Sequence, residues 1–172
     1  MKNVHIRQET ERDHKKIYEL IKTSFATAEH SDGTEQDLIE KLRKSKAYIQ
    51  ELALVAECDE RLVGYIMFTK VKVGRKVGLA LAPLAVAPDF QRQGVGSALI
   101  NKGHEIAKRL SFEFSLVLGS EKYYPKFGYI SAEECGVEIP KDFPSSNFFI
   151  KPLQKNFKHV SGQVVYPNEF GL

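Results

Sequence analysis

A glycine-containing turn near the middle of the chain holds the residues with the clearest chemical potential. The run Gln-Arg-Gln-Gly-Val-Gly-Ser occupies residues 91–97 and follows an apolar segment that ends at Val86. The first turn of a helix has main-chain N–H groups without intrahelical acceptors, and the helix dipole places partial positive charge there. Glycines at 94 and 96 let an anion approach the backbone because no Cβ stands in its way. The segment therefore predicts a phosphate-binding turn, to which Arg92 adds a full positive charge.

Two common phosphate-binding loops do not fit this turn. A nucleoside triphosphate loop requires Lys directly after its second glycine, and Ser97 stands there instead. A dinucleotide-binding turn requires a third glycine in register, where Ala98 and Leu99 follow. The remaining alternative is that the glycines only pack a helix onto a sheet, which is disfavoured because glycine in a helical turn carries a propensity cost.

The turn resembles a known family signature. Gln91-x-x-Gly94-x-Gly96 is similar to the R/Q-x-x-G-x-G/A pyrophosphate-binding signature of the GNAT superfamily of acyl-CoA-dependent N-acetyltransferases, and residues 83–88 are similar to that family's fourth strand. The resemblance implies a strand whose main chain binds the pantetheine arm as an added strand would. It also implies that a strand N–H near Val86 polarises the acetyl carbonyl. The implied cofactor-binding residues are Leu84, Ala85, Val86, Gln91, Arg92, Gln93, Gly94, Val95, Gly96 and Ser97.

A second part of the family pattern lies farther along the chain. Tyr124, Lys126, Gly128 and Tyr129 match its Y-x-K-x-G-F segment, with Tyr in place of the final Phe. The resemblance implies that Tyr124 is catalytic and donates a proton to the departing coenzyme A thiolate, which is a poor leaving group until it is protonated. The alternative is that Tyr124 packs a short helix onto the sheet. Tyr123 is interpreted as a core residue or as a wall of the substrate site.

The longer pattern L-G-x-x-x-Y-Y-x-x-F-G-Y, with the late Gly162-x-Val164-x-Tyr166-Pro167, resembles the YhbS-like branch of predicted bacterial acetyltransferases. This resemblance covers nearly the whole chain and implies one acetyltransferase domain over residues 1–172. It further implies acetyl-CoA as cosubstrate and direct attack by a primary amine in a ternary complex. The expected partner is a small-molecule or peptide amine, and the chain is expected to be a monomer or a homodimer.

The base that would deprotonate the amine stays open at this stage. An ammonium substrate must lose a proton before its nitrogen can attack, and residues 78–86 contain no ionisable side chain. Glu57, Glu29, His30 or a water chain to a distant carboxylate are the alternatives. The lack of an ionisable side chain on this strand also favours a second hypothesis, a non-catalytic acyl-CoA-binding sensor or regulatory partner protein. The presence of Tyr124, the implied proton donor, argues against that hypothesis.

Hydrophobic periodicity indicates the elements that position these residues. Strands are predicted at 4–7, 52–57, 62–73, 77–86, 112–118, 136–139 and 148–153, and helices begin after Thr10, after Thr34 and at Gln91, the last ending at Leu110. A strand, a helix and a following strand predict a parallel pair with a right-handed crossover. The expected fold class is α/β with a mixed sheet of six or seven strands and helices on both faces. The resemblance adds the GNAT fold, splayed at the central parallel strands, where Pro83 interrupts a strand. His104, within the last helix, is expected at the surface.

Composition excludes several classes of function. Lys and Arg number 25 against 22 Asp and Glu, a formal net charge of +3 that does not favour nucleic acid as a partner. No apolar run approaches the ~20 residues that span a bilayer, and no secretory signal is visible, so a cytoplasmic protein without a membrane partner is expected. Cys58 and Cys135 lack CxxC spacing, and the five histidines lack metal-ligand spacing, so no metal is expected.

Overall fold

The strands and helices follow the predicted order with shifted bounds. The computed structural model describes residues 3–28 and 31–172. Its strands are β1 (His5–Gln8), β2 (Tyr48–Cys58), β3 (Arg61–Val73), β4 (Lys76–Val86), β5 (Phe114–Leu118), β6 (Ile130–Ser131), β7 (Val137–Glu138), β8 (Phe148–Pro152) and β9 (Gly162–Val165), and its helices are α1 (His14–Phe25), α2 (Glu35–Arg43) and α3 (Val95–Arg109). No helix in the described part of the chain is both long and apolar enough to cross a membrane.

Seven strands lie side by side in the order β1-β2-β3-β4-β5-β8-β6, and β9 joins the far end of β3. The pair formed by β4 and β5 is parallel and is connected through α3, as predicted. Two short strands, β6 and β9, were not predicted; they are defined by pairing with strands that are distant in sequence, β6 with β8 and β9 with β3 and β7. The expected mixed sheet of the GNAT fold is confirmed.

The sheet opens between β4 and β5. Pairing between these two strands is limited to Leu79 with Ser115 and Ala80 with Leu116. By contrast, β3 stays paired with β4 as far as Val86. The last six residues of β4 therefore have a partner strand on one edge only. At about 3.3 Å per residue, the open edge is about 20 Å long.

Helices cover both faces of the sheet. A Cβ at Gly64 of β3 would lie 2.8 Å from Cγ1 of Val95 and 2.9 Å from Cδ1 of Leu99, so this glycine lets α3 approach closely. Successive strand residues point to opposite faces, and the next residue, Tyr65, reaches Glu9 on the side of α1 and α2. The opening between β4 and β5 has the form of a wedge, and α3 borders this wedge on one face of the sheet.

The C-terminal segment links two hydrophobic cores. Tyr166 packs against the core formed around β5, β7 and β8, where its ring centroid lies 5.9 Å from that of Phe143. Its ring also lies 5.2 Å from Phe170, which packs against the main core under α1 and α2. The late Gly162-x-Val164 segment forms β9, in which Val164 pairs with Val73 of β3.

A buried carboxylate ties together four elements on the α1 and α2 side. Glu9, which is 5% exposed, accepts hydrogen bonds at Oε1 from Arg43 Nε (3.0 Å) and Tyr48 OH (2.7 Å). At Oε2 it accepts from Arg43 Nη2 (2.9 Å) and Tyr65 OH (2.9 Å). Burial alone would raise the pKa of Glu9, but these donors outweigh it and hold the pKa below its usual value. The charge is thus compensated by four donors from α2, β2 and β3.

We expect Glu9→Gln to lower the free energy of unfolding by about 3 kcal/mol, because the Arg43 guanidinium loses its buried partner charge. Urea unfolding at neutral pH measures the change. Glu57→Gln is the matched control: Glu57 is partly exposed and accepts one 3.3 Å contact from Arg7. Its removal should cost less than about 1 kcal/mol. Equal losses in the two variants would contradict a structural role for the Glu9 cluster.

Candidate active site

The turn after β4 is shaped by two left-handed residues. A short 3-10 helix (Pro88–Phe90) follows the strand, Gln91 is extended, and Arg92 and Gly94 have φ of 62° and 87°. A right-handed helix cannot include such residues, so α3 begins at Val95. The predicted start at Gln91 is wrong for this reason. Left-handed positions in a turn bring successive N–H groups together into a concavity that suits anions.

The N–H groups of this turn have no acceptors among the described residues. The first intrahelical bond runs from the N–H of Ala98 to the carbonyl of Gly94 (3.0 Å), and none of the six preceding main-chain N–H groups, residues 92–97, donates to a described residue. Main-chain donors in folded proteins are almost always paired with protein, water or ligand. Six consecutive free donors at a positive helix end therefore form a site for an anion.

The two glutamines of the turn stabilise the backbone and do not point into the site. Gln91 Nε2 donates to the carbonyl of Val86 (3.1 Å), and Gln93 Nε2 donates to the carbonyl of Asp89 (2.9 Å). Ser24 Oγ, at the end of α1, also donates to the Val86 carbonyl (3.2 Å). Both glutamine side chains are therefore engaged with the main chain, whereas the exposed side chain of Arg92 makes no ion pair with a described residue.

The register of β4 decides which main-chain groups face the opening. Ala87 N–H donates to the carbonyl of Val63 on β3 (2.8 Å), so the backbone of Ala87 faces that strand. Because strand groups alternate between the two edges, Ala85 also faces β3, and Leu84 and Val86 face the opening. Of the three predicted strand residues, two therefore present main-chain groups to the wedge.

Tyr124 begins a short 3-10 helix (Tyr124–Phe127) just beyond β5. Its ring covers Gly119, where a Cβ would overlap it, and makes edge contacts with Tyr123 (5.2 Å between centroids) and Tyr129 (5.7 Å). Burial, with a smaller effect of Tyr123, raises the pKa of Tyr124 above its usual 10. Its hydroxyl is therefore protonated at neutral pH, and it makes no hydrogen bond with a described residue, so the proton is available to a ligand.

The tyrosine that replaces the family's final phenylalanine has polar partners in the core. The buried Tyr129 hydroxyl lies 3.0 Å from His104 Nε2 and 2.9 Å from Ser115 Oγ. The surface position expected for His104 is wrong: it is 5% exposed, on the face of α3 that packs against the sheet. Burial, with smaller effects of Lys151 and Lys108, lowers the pKa of His104 to about 4.

This buried imidazole predicts a pH dependence of stability. The folded-state pKa of His104 lies below its usual 6.5, so the unfolded chain takes up the proton first as the pH falls. The contribution is fully present above pH 6.5 and declines toward pH 4, with a loss of about 2 kcal/mol between about pH 7.5 and 5. Urea unfolding across this interval measures it. His104→Gln should flatten the curve; an unchanged slope in that variant would contradict the assignment.

Of the candidate bases, Glu57 is not brought to the opening. Glu57 contacts Arg7 on the outer strand pair, and β3 separates its strand from β4. Glu29 and His30 lie outside the described residues. Within residues 3–28 and 31–172, no group of three or more His, Cys, Asp or Glu side chains is arranged to hold a metal ion.

Comparison with known proteins defines the class. Residues 14–129 match the Acetyltransferase (GNAT) family. The chain belongs to this family, and it carries both halves of the family pattern at the open edge of its sheet.

Two relatives come from Escherichia coli (strain K12). The uncharacterized N-acetyltransferase YhbS is 32% identical over 169 residues, covering 96% of this chain and 97% of YhbS. The uncharacterized N-acetyltransferase YjhQ is 34% identical over 118 residues, which are 66% of this chain and 65% of YjhQ, so that match spans just under two thirds of YjhQ.

Two crystal structures are similar over nearly the whole chain. That of E. coli YhbS, in complex with CoA, has a TM-score of 0.90 at 26% identity and covers 100% of this chain and 94% of the other. That of a GNAT family acetyltransferase from Brucella melitensis, in complex with acetyl-CoA, has a TM-score of 0.83 at 26% identity and covers 99% of both chains.

Proposed function

We propose that this acetyltransferase binds acetyl-CoA in the opening between β4 and β5 and transfers the acetyl group to a primary amine. The transfer is direct, within a ternary complex. The observation that carries the proposal is the row of six unpaired N–H groups at residues 92–97, located where the open edge of β4 ends. The CoA and acetyl-CoA complexes of the two similar structures support the choice of ligand.

The dimensions and chemistry of the opening fit this cosubstrate. The pyrophosphate is held by the N–H groups of residues 92–97. Leu84 offers its N–H and carbonyl, and Val86 its N–H, to the amides of the pantetheine arm along the open edge of about 20 Å. The Val86 carbonyl already accepts from Ser24 and Gln91. The thioester then lies toward the closed end of the wedge, where Ala80 pairs with Leu116.

When bound, acetyl-CoA supplies the activated acetyl group, and the chain supplies hydrogen-bond donors. The N–H groups of Leu84 and Val86 face the opening, and that of Leu84 lies nearer the closed end, so it is the one placed to polarise the acetyl carbonyl as charge develops on its oxygen. The carbonyl of Val86 is held by Ser24 and Gln91, which fixes the orientation of that peptide.

Tyr124 stabilises the departing sulfur. Full transfer of its proton to a thiolate whose thiol has a pKa near 8.5 is uphill by at least about 2 kcal/mol, because burial holds the phenol pKa above 10. The hydrogen bond to the developing thiolate is therefore the main contribution of Tyr124. The proton released by the attacking nitrogen replaces the one that sulfur takes, so the overall reaction is balanced.

Deprotonation of the amine takes place through water. Residues 78–86 carry no ionisable side chain, and Glu57 is engaged by Arg7 on the outer strands. The rate should then rise with pH according to the pKa of the acceptor amine itself. A change of acceptor that shifts the profile supports this route; a profile that shifts with Glu29→Gln or His30→Gln would assign the base to that side chain.

Tyr124→Phe tests the acid role. We expect kcat to fall about 100-fold, since a positioned proton donor contributes 10²- to 10⁴-fold. The dissociation constant for CoA should stay within about twofold, because the hydrogen bond strengthens only as the thiolate forms. Thiol release measures kcat, and calorimetry measures binding.

Tyr18→Phe is the matched control for that experiment. It removes another tyrosine hydroxyl, one bonded to Asp37 (2.9 Å) outside the wedge, and should leave both quantities unchanged. Equal losses of kcat and CoA affinity in Tyr124→Phe would contradict the acid role.

A thiol-release screen of acetyl-CoA with a panel of amines tests the overall function. Release that depends on particular acceptors supports acetyl transfer and identifies the acceptor class. Tight CoA binding without release for any small amine, peptide N-terminus or lysine peptide would favour the sensor hypothesis instead.

A further inference from the structure

The hydroxyl of Tyr123 lies at the phosphate-binding turn. A Cβ built at Gly96 would be 2.7 Å from Tyr123 OH, and 3.7 to 3.8 Å from the side chains of Val86 and Leu84. Tyr123 therefore crosses the mouth of the wedge, from the segment after β5 to the first turn of α3. Its ring is held by edge contacts with Tyr124 (5.2 Å) and Phe127 (5.1 Å).

The two adjacent tyrosines point to opposite ends of the opening. Tyr124 leans over Gly119 toward Tyr129, whose hydroxyl contacts Ser115 at the closed end of the wedge. Tyr123 points toward the open end, where the six N–H groups are free. The two hydroxyls can therefore contact different parts of one long ligand.

The Tyr123 hydroxyl carries a proton at neutral pH. Burial raises the pKa of Tyr123, and the neighbouring Ser97 side chain opposes this shift to a smaller extent. A protonated phenol is a hydrogen-bond donor that a phosphate oxygen can accept.

We propose that Tyr123 is a cofactor-binding residue whose hydroxyl, at the first turn of α3, donates a hydrogen bond to the pyrophosphate of bound coenzyme A. The inference rests on the proposed binding of acetyl-CoA. Neither half of the family pattern assigns this position a polar role. Here the phenol adds a side-chain donor to a site otherwise built from main-chain donors.

The same contact gives Gly96 a specific role in this chain. The family signature accepts Gly or Ala at that position, and an alanine Cβ here would displace the Tyr123 hydroxyl. Val86 and Leu84 stay at ordinary van der Waals distance from that Cβ, so Tyr123 is the residue that requires glycine.

Binding of coenzyme A fragments to Tyr123→Phe tests the proposal. A hydrogen bond from a neutral donor to a charged phosphate corresponds to about a tenfold change in affinity. We expect Tyr123→Phe to weaken binding of coenzyme A and of adenosine 3′-phosphate 5′-diphosphate by about this factor, and to leave pantetheine binding unchanged. Isothermal calorimetry measures all three. Tyr18→Phe, which removes a tyrosine hydroxyl outside the opening, is the matched control.

Two results would overturn the inference: unchanged affinity for both phosphate ligands, or a loss that appears with pantetheine. These differ from failure of the proposed function, in which the wild-type chain itself would not bind coenzyme A.

A double-mutant cycle gives a second, independent readout. Gly96→Ala should weaken coenzyme A binding in the wild-type background and have a much smaller effect in Tyr123→Phe, because the displaced hydroxyl is already absent. Additive effects of the two substitutions would show that Gly96 and Tyr123 act separately, and would contradict the proposal.

Discussion

The separation of two parallel strands is the constraint on which the rest of the site depends. Once β4 leaves β5 after Ala80, the main-chain groups of Leu84 and Val86 have no strand partner on that edge. Unpaired main-chain groups are costly unless water or a ligand satisfies them. An extended ligand with amide groups of its own can replace the missing strand, so the opening selects a chain-like cosubstrate over a compact one.

The turn that follows β4 provides positive potential for an anionic ligand with its backbone alone. Its six free N–H groups and the end of the α3 dipole supply positive potential for a pyrophosphate without clustered basic side chains. A formal net charge of only +3 is therefore compatible with a strongly anionic ligand. The side chains of Gln91 and Gln93 act on carbonyls of the turn instead, and this explains why an uncharged residue suffices at the first position of the signature.

The sequence predicts the elements around the site well because their signals are local. Each of three segments is recognisable from neighbouring residues alone: the apolar run of β4, the glycines of the turn and the Tyr-x-Lys-x-Gly segment. The start of α3 could not be placed, since no periodicity reveals that Arg92 adopts a left-handed conformation.

His104 illustrates a different limit. A lone histidine in an amphipathic helix is equally compatible with the surface. Its hydrogen-bond partner is distant in sequence: the Tyr129 hydroxyl, which also contacts Ser115. The substitution of Tyr for the family's Phe was the one available signal. A hydroxyl added at a core position requires buried partners, but the sequence does not identify the histidine and the serine that supply them.

The consecutive tyrosines, Tyr123 and Tyr124, face different ends of the opening. Tyr123 lies just before the short 3-10 helix that Tyr124 begins, and the two rings meet edge to face. One side chain cannot reach both ends of an open edge that is about 20 Å long. Two adjacent phenols can, and here one lies over the end of β5 and the other over the first turn of α3. Residues 123–127 therefore place one phenol toward each end of the opening, as the two roles proposed for these tyrosines require.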